Sequence, residues 1–248
     1  MKSFKEYLTE AGKKFERQET SFVNAIKAAV KKNGGNAVTV KTGDASIKNV
    51  INAKKYSDRA SSGSEPYTDV QLFLKNGKFV NISMKGESAP SLAGGGLTGI
   101  EKIIPGFGFK FYIAAYKNHI KNKLKAGQKV PDTYGVLNDA DKKLIVVGNL
   151  EMGGPIDYMY IGPMNVQSKF DNGVLTVNGK LTSSEKYAES HDLYFRLRAR
   201  REDQTFDPTS KYTNGAPKIY SRSPSKNEGG SKLVVIDKPA SNRDLITF

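Results

Sequence analysis

Apolar and polar positions alternate most clearly between Asp69 and Lys85. Val70, Leu72 and Leu74 interleave there with Asp69, Gln71 and Phe73, a period of two that predicts a half-buried strand. The Asn76-Gly77 pair predicts a type I′ turn, in which both central residues need φ > 0, so a second strand folds straight back. In that strand Val80, Ile82 and Met84 take one face, and Asn81, Ser83 and Lys85 the other. A carboxylate opening one strand and a lysine closing its partner, Asp69 and Lys85, are expected to converge across the hairpin.

Elsewhere the period lies nearer 3.6. Residues 14–33 predict a helix with Phe15, Phe22, Ile26, Ala29 and Val30 on its apolar face, stopped by Gly34-Gly35. Glu19 falls on that face. A carboxylate there calls for a cation, a metal or several donors beside it, unless it sits at the edge of the face and reaches solvent. Residues 1–13 predict a separate short amphipathic helix, with Phe4, Tyr7 and Leu8 on one side and a break at Ala11-Gly12. Residues 109–125 predict another helix. Phe109, Tyr112, Ile113, Tyr116, Ile120 and Leu124 form its apolar stripe, with Lys117, Lys121, Lys123 and Lys125 on its polar side and end.

Residues 37–40 suggest a strand, residues 47–53 a strand or short helix, and residues 57–64 a polar loop. The Gly- and Ser-rich stretch after the hairpin reads as a connector, and its three consecutive glycines at 94–96 match no nucleotide-binding fingerprint. The last hundred residues are β-rich, with strands expected at 144–147, 156–161, 174–177, 192–200, 217–220 and 233–236. In the fourth of these, Leu193, Phe195, Leu197 and Ala199 alternate with Tyr194, Arg196, Arg198 and Arg200. That row of arginines suits a phosphate backbone, or else is a solvated outer face. Residues 221–231 read as a basic loop.

Charge sharpens this picture. Across 248 residues, 39 Lys and Arg against 25 Asp and Glu give a net charge of +14, which favours a polyanionic partner, nucleic acid first. A chain of this length buries roughly 70–75% of its unfolded surface, enough for a proper core. No cysteine is present, which excludes disulfides and thiolate zinc sites, and His119 and His191 stand alone, in no metal-ligand spacing. No apolar run reaches transmembrane length and the N-terminus lacks a secretory core, so a soluble protein without a membrane partner is expected.

Two resemblances attach to these patterns. Helix, strands carrying Asp69 and Lys85, helix and strand is the element order of the PD-(D/E)XK nuclease core, and residues 14–150 resemble that superfamily. The resemblance implies an α/β (α+β mixed) fold with a central mixed sheet flanked by helices and a β-rich C-terminal part, 151–248, packed on the same domain. It also implies roles. An acid, thirteen intervening residues and then Ser83-Met84-Lys85 match the family spacing. Asp69 would bind Mg²⁺, or Mn²⁺ in its place, the Met84 carbonyl would add a ligand, and Lys85 would orient or deprotonate the attacking water. Glu19 matches the carboxylate that the first helix contributes in many members. Ser83 departs from the pattern, standing where an acid is expected, and Glu19 or Glu87 would have to supply the missing ligand. Arg196, Arg198, Arg200, Lys117 and Lys121 are the expected DNA contacts.

The second resemblance covers Met1 to Ala11. Met1, Lys2, Ser3, Phe4, Glu6, Tyr7, Leu8, Glu10 and Ala11 are similar to the capsid-targeting peptides of internal head proteins of large contractile-tailed phages. Those peptides are cut after the glutamate by the prohead protease, here between Glu10 and Ala11. Together the resemblances imply a phage DNA-binding endonuclease, packaged in the virion head interior and injected into the host cytoplasm. The alternatives are a non-catalytic virion protein that binds or protects DNA, and an injected inhibitor of a host defence enzyme.

Overall fold

The computed structural model describes residues 4–43, 45–56, 66–87, 103–199, 205–209, 231–236 and 245–246. The fold is mixed α/β, with an eight-stranded mixed sheet, a four-stranded sheet and four α-helices among the described residues. It forms two compact units, Met1–Pro90 with Val146–Glu189, and Ser91–Ile145 with Ser190–Phe248.

The first unit opens with helix α1 (Phe4–Lys32), one continuous helix where a break at Ala11-Gly12 was expected. Glycine inside a helix costs about 1 kcal/mol, which 29 residues of helix absorb without interruption. Strands β1 (Val38–Thr42), β2 (Ala45–Lys55), β3 (Val70–Leu74) and β4 (Phe79–Gly86) follow as an antiparallel meander. Later in the chain β6 (Tyr158–Gly162) adds parallel to β4 and β9 (Lys180–Ser183) antiparallel to β6. At the other edge β8 (Val174–Val177) lies parallel to β1 and β7 (Ser168–Asp171) antiparallel to β8. Part of the expected C-terminal β-rich region therefore completes the sheet of the hairpin.

The core lies between α1 and one face of this sheet. Phe22 and Ile26 pack there with Val40, Val50, Val70, Leu72, Ile82 and Met84, so the apolar half of the hairpin falls on the side its alternation predicts. In β2 the buried residues are Ile47, Val50 and Ala53, spaced by three. The ladder slips between Val38 and Val40 and again between Val50 and Asn52, and each bulge inserts a residue that shifts the alternation. This is why the sequence of β2 read equally as strand or helix.

The hairpin turn differs from the expected type. Gly77 has φ 80 while Asn76 is not in the left-handed region, and Leu74 N donates to Lys78 O at 2.8 Å with Gly77 N donating to Leu74 O at 3.0 Å. This is a three-residue loop ending on a left-handed glycine, with Asn76 Oδ1 accepting from Lys78 N at 3.1 Å. The difference decides the register. A two-residue turn centred on Asn76-Gly77 pairs Lys75 with Lys78, and hence Asp69 with Met84 on the core face. The observed register pairs Val70 with Ile82 and puts Asp69 beside Ser83 on the outer face.

The second unit carries α2 (Phe107–Lys121), β5 (Thr133–Val136), β10 (Tyr194–Ala199), β11 (Ser231–Ile236) and β12 (Leu245–Ile246), in sheet order β11-β10-β5-β12. Among the described side chains of α2 the buried ones are Phe111, Ala115 and His119, with Ile120 47% exposed, so the helix is rotated from the predicted face, of which Phe109 and Tyr112 lie outside the described side chains. Phe111 meets Phe195 of β10 at 5.5 Å, and this aromatic contact sets the rotation. Residues 144–147, expected as a strand, lie in helix α3 (Asp139–Val147), opened by Asn138 Oδ1 accepting from Asp141 N at 2.8 Å. Helix α4 (Ser184–Ser190) was not anticipated. Residues 94–96 and 217–220 lie outside the described residues.

Candidate functional site

The hairpin brings Asp69, Ser83, Met84 and Lys85 together where β3 begins. Ladder pairing of β3 with β4 ends near Asp69, because Thr68 has already turned away to donate from its backbone N to Gly153 O at 3.3 Å. The Met84 N–H then faces no strand partner. The Asp69 carboxylate takes that place: Oδ2 accepts from Met84 N at 2.5 Å and from Ser83 Oγ at 3.1 Å. Ser83 is buried, while Asp69 and Lys85 are half-buried. By alternation the Lys85 side chain leaves the sheet on the face of Asp69.

A polar network continues along this outer face. Gln71 Nε2 donates to Asn81 Oδ1 at 3.0 Å, Asn81 Nδ2 to Pro155 O at 2.9 Å, and Asn81 N to Asp157 Oδ2 at 2.7 Å. Loss of water around Asp157 raises its pKa, partly offset by the Asn81 N–H.

Glu19 stands apart. It projects from α1, on the core side of the sheet, and meets Lys55 Nζ at 3.1 Å. Lys55 pairs with Val70, the residue after Asp69, so the two carboxylates belong to opposite faces. The cation that a glutamate on an apolar face requires is thus a lysine. Glu87 is exposed beyond the end of β4. Burial, with a further contribution from the Glu87 charge, pushes the Tyr160 phenol up to about 12, and Tyr160 lies on the α1 side against Phe22 at 5.2 Å. Among the described residues no three carboxylate or imidazole groups converge as a metal cage.

The donor set that does converge is one carboxylate and one hydroxyl, Asp69 and Ser83. It suits Mg²⁺, which binds through one or two carboxylates and fills its shell with water and substrate phosphate. The site therefore fits an ion shared with the substrate rather than one caged by protein alone.

Among the described residues the expected DNA contacts, Lys117, Lys121 and Arg196, are not gathered on one face. Lys117 and Lys121 are exposed on α2, which packs against the Phe195 side of β10. Arg196 points to the other side, where Nε donates to Asp132 Oδ2 at 2.9 Å, Nη2 bonds the same oxygen, and the guanidinium lies 5.9 Å from the Tyr134 ring. Its charge is matched within the protein. The Arg198 side chain and Arg200 lie outside the described residues. Glu10 and Ala11 fall within α1, so the bond between them is helical.

Sequence reasoning missed Gln18. It is fully buried, and Nε2 donates to Gly162 O at 2.9 Å, Pro163 O at 3.1 Å and Lys85 O at 3.4 Å, tying α1 to the ends of β4 and β6. The available signal was its place four residues before Phe22 on the apolar stripe. No protein-family model matches the sequence, and no curated protein matches it. Among the described residues no helix is long and apolar enough to cross a membrane.

Proposed function

We propose that this chain is a DNA-binding protein of the PD-(D/E)XK type that hydrolyses phosphodiester bonds with Mg²⁺. The observation that carries this reading is the hairpin register, which sets Asp69 against Ser83 with Lys85 on the same outer face. The order of elements supports it too: α1, the meander β2-β3-β4, intervening helices, and then β6 parallel to β4. A Mg²⁺ ion held with the substrate supplies charge neutralisation of the non-bridging oxygens and a water acidic enough to attack at neutral pH. Asp69 orients that group through the carboxylate that Ser83 and Met84 fix in place. Lys85 contributes positive charge beside the scissile phosphate and holds the nucleophilic water. The basic balance of the chain attracts the DNA. Packaging in a phage head, with processing after Glu10, belongs to the same reading and predicts a virion chain that starts at Ala11.

A second reading, a virion DNA-binding protein without catalysis, is favoured by one observation: Glu19 is paired with Lys55 on the far face, leaving Asp69 as the carboxylate of the hairpin site. Supercoiled plasmid incubated with Mg²⁺, with Mn²⁺ and with chelator, alongside Asp69→Ala, separates the two. Cutting that requires both the metal and Asp69 supports the nuclease. Metal-independent binding without cutting moves the assignment to the second reading.

A further inference from the structure

The outer face of the eight-stranded sheet, opposite α1, has a composition that the hairpin site does not use. Cross-strand pairing sets Lys169 beside Thr176, Thr176 beside Lys41 and Lys41 beside Ser46, in one row over β7, β8, β1 and β2. All four side chains are exposed. Further along β2 the exposed Lys54 stands beside Gln71, with its Nζ 5.5 Å from the centre of the Phe73 ring. Phe73 pairs in turn with Phe79, which is 56% exposed. Asp171, two residues after Lys169 at the end of β7, lies on the same face by alternation.

An aromatic ring more than half exposed on a lysine-lined sheet face is costly to leave in water. Cations that follow a phosphate backbone, combined with rings on which bases stack, are the two components of single-strand recognition. A broad sheet face, in contrast, does not enter the major groove of a duplex, which admits a helix or a two-stranded ribbon. The same face leads to the candidate site: Asp69 lies four residues from Phe73 on β3, roughly 13 Å along the strand.

We propose that this outer face is a platform for single-stranded nucleic acid, with Phe79 and Phe73 stacking bases and Lys54, Lys41 and Lys169 contacting the backbone. The proposal rests on the DNA-binding reading and deepens it by naming the substrate class: unpaired strands delivered along the sheet to Asp69 and Lys85.

The test is fluorescence anisotropy of a labelled twenty-nucleotide oligothymidylate and of a duplex of equal length, in chelator so that nothing is cut. The parent should bind the single strand more tightly than the duplex. Phe79→Ala, at an exposed position, should weaken single-strand binding roughly ten-fold. The triple variant Lys41→Glu, Lys54→Glu, Lys169→Glu should bind weakly, and Lys41→Ala, Lys54→Ala, Lys169→Ala should lower the slope of log K against log salt by about two. The pair Lys117→Glu, Lys121→Glu should match the parent. If the sheet-face variants bind like the parent while the Lys117, Lys121 variant loses affinity, the platform is overturned and DNA binding stands. Equal or tighter duplex binding that ignores Phe79 overturns it as well. A parent that binds neither probe overturns both readings.

Discussion

Asp69 Oδ2 accepts a hydrogen bond from Ser83 Oγ across the hairpin at 3.1 Å, and the same oxygen takes the Met84 N–H at 2.5 Å. The carboxylate thus has a structural task, closing the end of β4, besides the one proposed for it in hydrolysis. Two substitutions separate the tasks. Asp69→Ala removes both acceptor bonds and should cost about 2 kcal/mol of stability together with plasmid cleavage. Asp69→Asn keeps an oxygen in place, so most of that stability should return while cleavage stays lost. Urea unfolding and plasmid assays on the two variants read this, and cleavage by Asp69→Asn at the parental rate would remove Asp69 from the site.

The register that creates this pair depends on Gly77. Its φ of 80 lies in the left-handed region, and a Cβ built there meets nothing within 4 Å, so the penalty for a side chain is conformational rather than steric crowding. Gly77→Ala should destabilise the protein by about 1 kcal/mol. The same substitution at Gly43, also left-handed and open, reports whether the cost is general to such turns or larger where the Asp69 register depends on it. Denaturant midpoints at constant m-value make the comparison.

The hairpin was legible because both its strands are regular: Val70, Leu72, Ile82 and Met84 keep period two and reach the core. Its turn type was not, since Asn-Gly suits the two-residue and the three-residue loop, and only packing of the two faces selects between them. In β2 two bulges turned the buried period into three and hid the strand. For α2 the aromatic residues outnumber what one face can bury, so periodicity alone left the rotation open. Contact of Phe111 with Phe195 settles it. That Asp69, Ser83 and Lys85 share one face of the hairpin was legible from the alternation. The pairing of Glu19 with Lys55 was not, because sequence spacing cannot tell which face of the sheet a helix covers.

Arg196 illustrates the same limit and yields a third prediction. As a residue of an alternating basic row it read as a DNA contact, yet Asp132 and Tyr134 hold its guanidinium. Arg196→Ala should therefore lower stability by about 1–2 kcal/mol, through a half-buried, charge-assisted pair, and leave DNA affinity within about two-fold of the parent. Asp132→Asn frees the positive charge and should if anything raise affinity at low salt. A large loss of DNA affinity in Arg196→Ala without loss of stability would return Arg196 to the interface.

Gln18 offers a fourth. Its Nε2 serves carbonyls of Gly162 and Pro163 and, at longer range, Lys85, all at the ends of β4 and β6. Gln18→Leu keeps the volume and removes the donor, leaving buried carbonyls without it, and should cost about 2–3 kcal/mol. Because Lys85 shares that anchoring, the variant should also reduce cleavage more than DNA binding. A variant as stable as the parent would show that the α1 contact is dispensable.

His119 gives the pH dependence. It is 2% exposed, its Nε2 lies 3.3 Å from Thr133 Oγ1, its ring meets Phe206 edge-on at 6.1 Å, and burial holds its pKa down at about 4. The unfolded imidazole titrates near about 6.5. Above that value both states are neutral and the folded protein has its full stability from this residue. As pH falls from about 6.5 towards 4, the unfolded chain takes up a proton that the folded one refuses, so stability declines. Below about 4 both states are protonated and the decline ends. The whole loss amounts to at most about 3–4 kcal/mol at 1.36 kcal/mol per pH unit. His119→Asn, of lower volume but without a titrating ring, should be less stable than the parent at pH 8 and should lose less on acidification. Unfolding free energies of both proteins at pH 8, 6.5, 5.5 and 4.5 provide the test, since carboxylate titrations common to the two cancel in the difference. A constant difference across that range would mean that His119 is not held neutral in the fold.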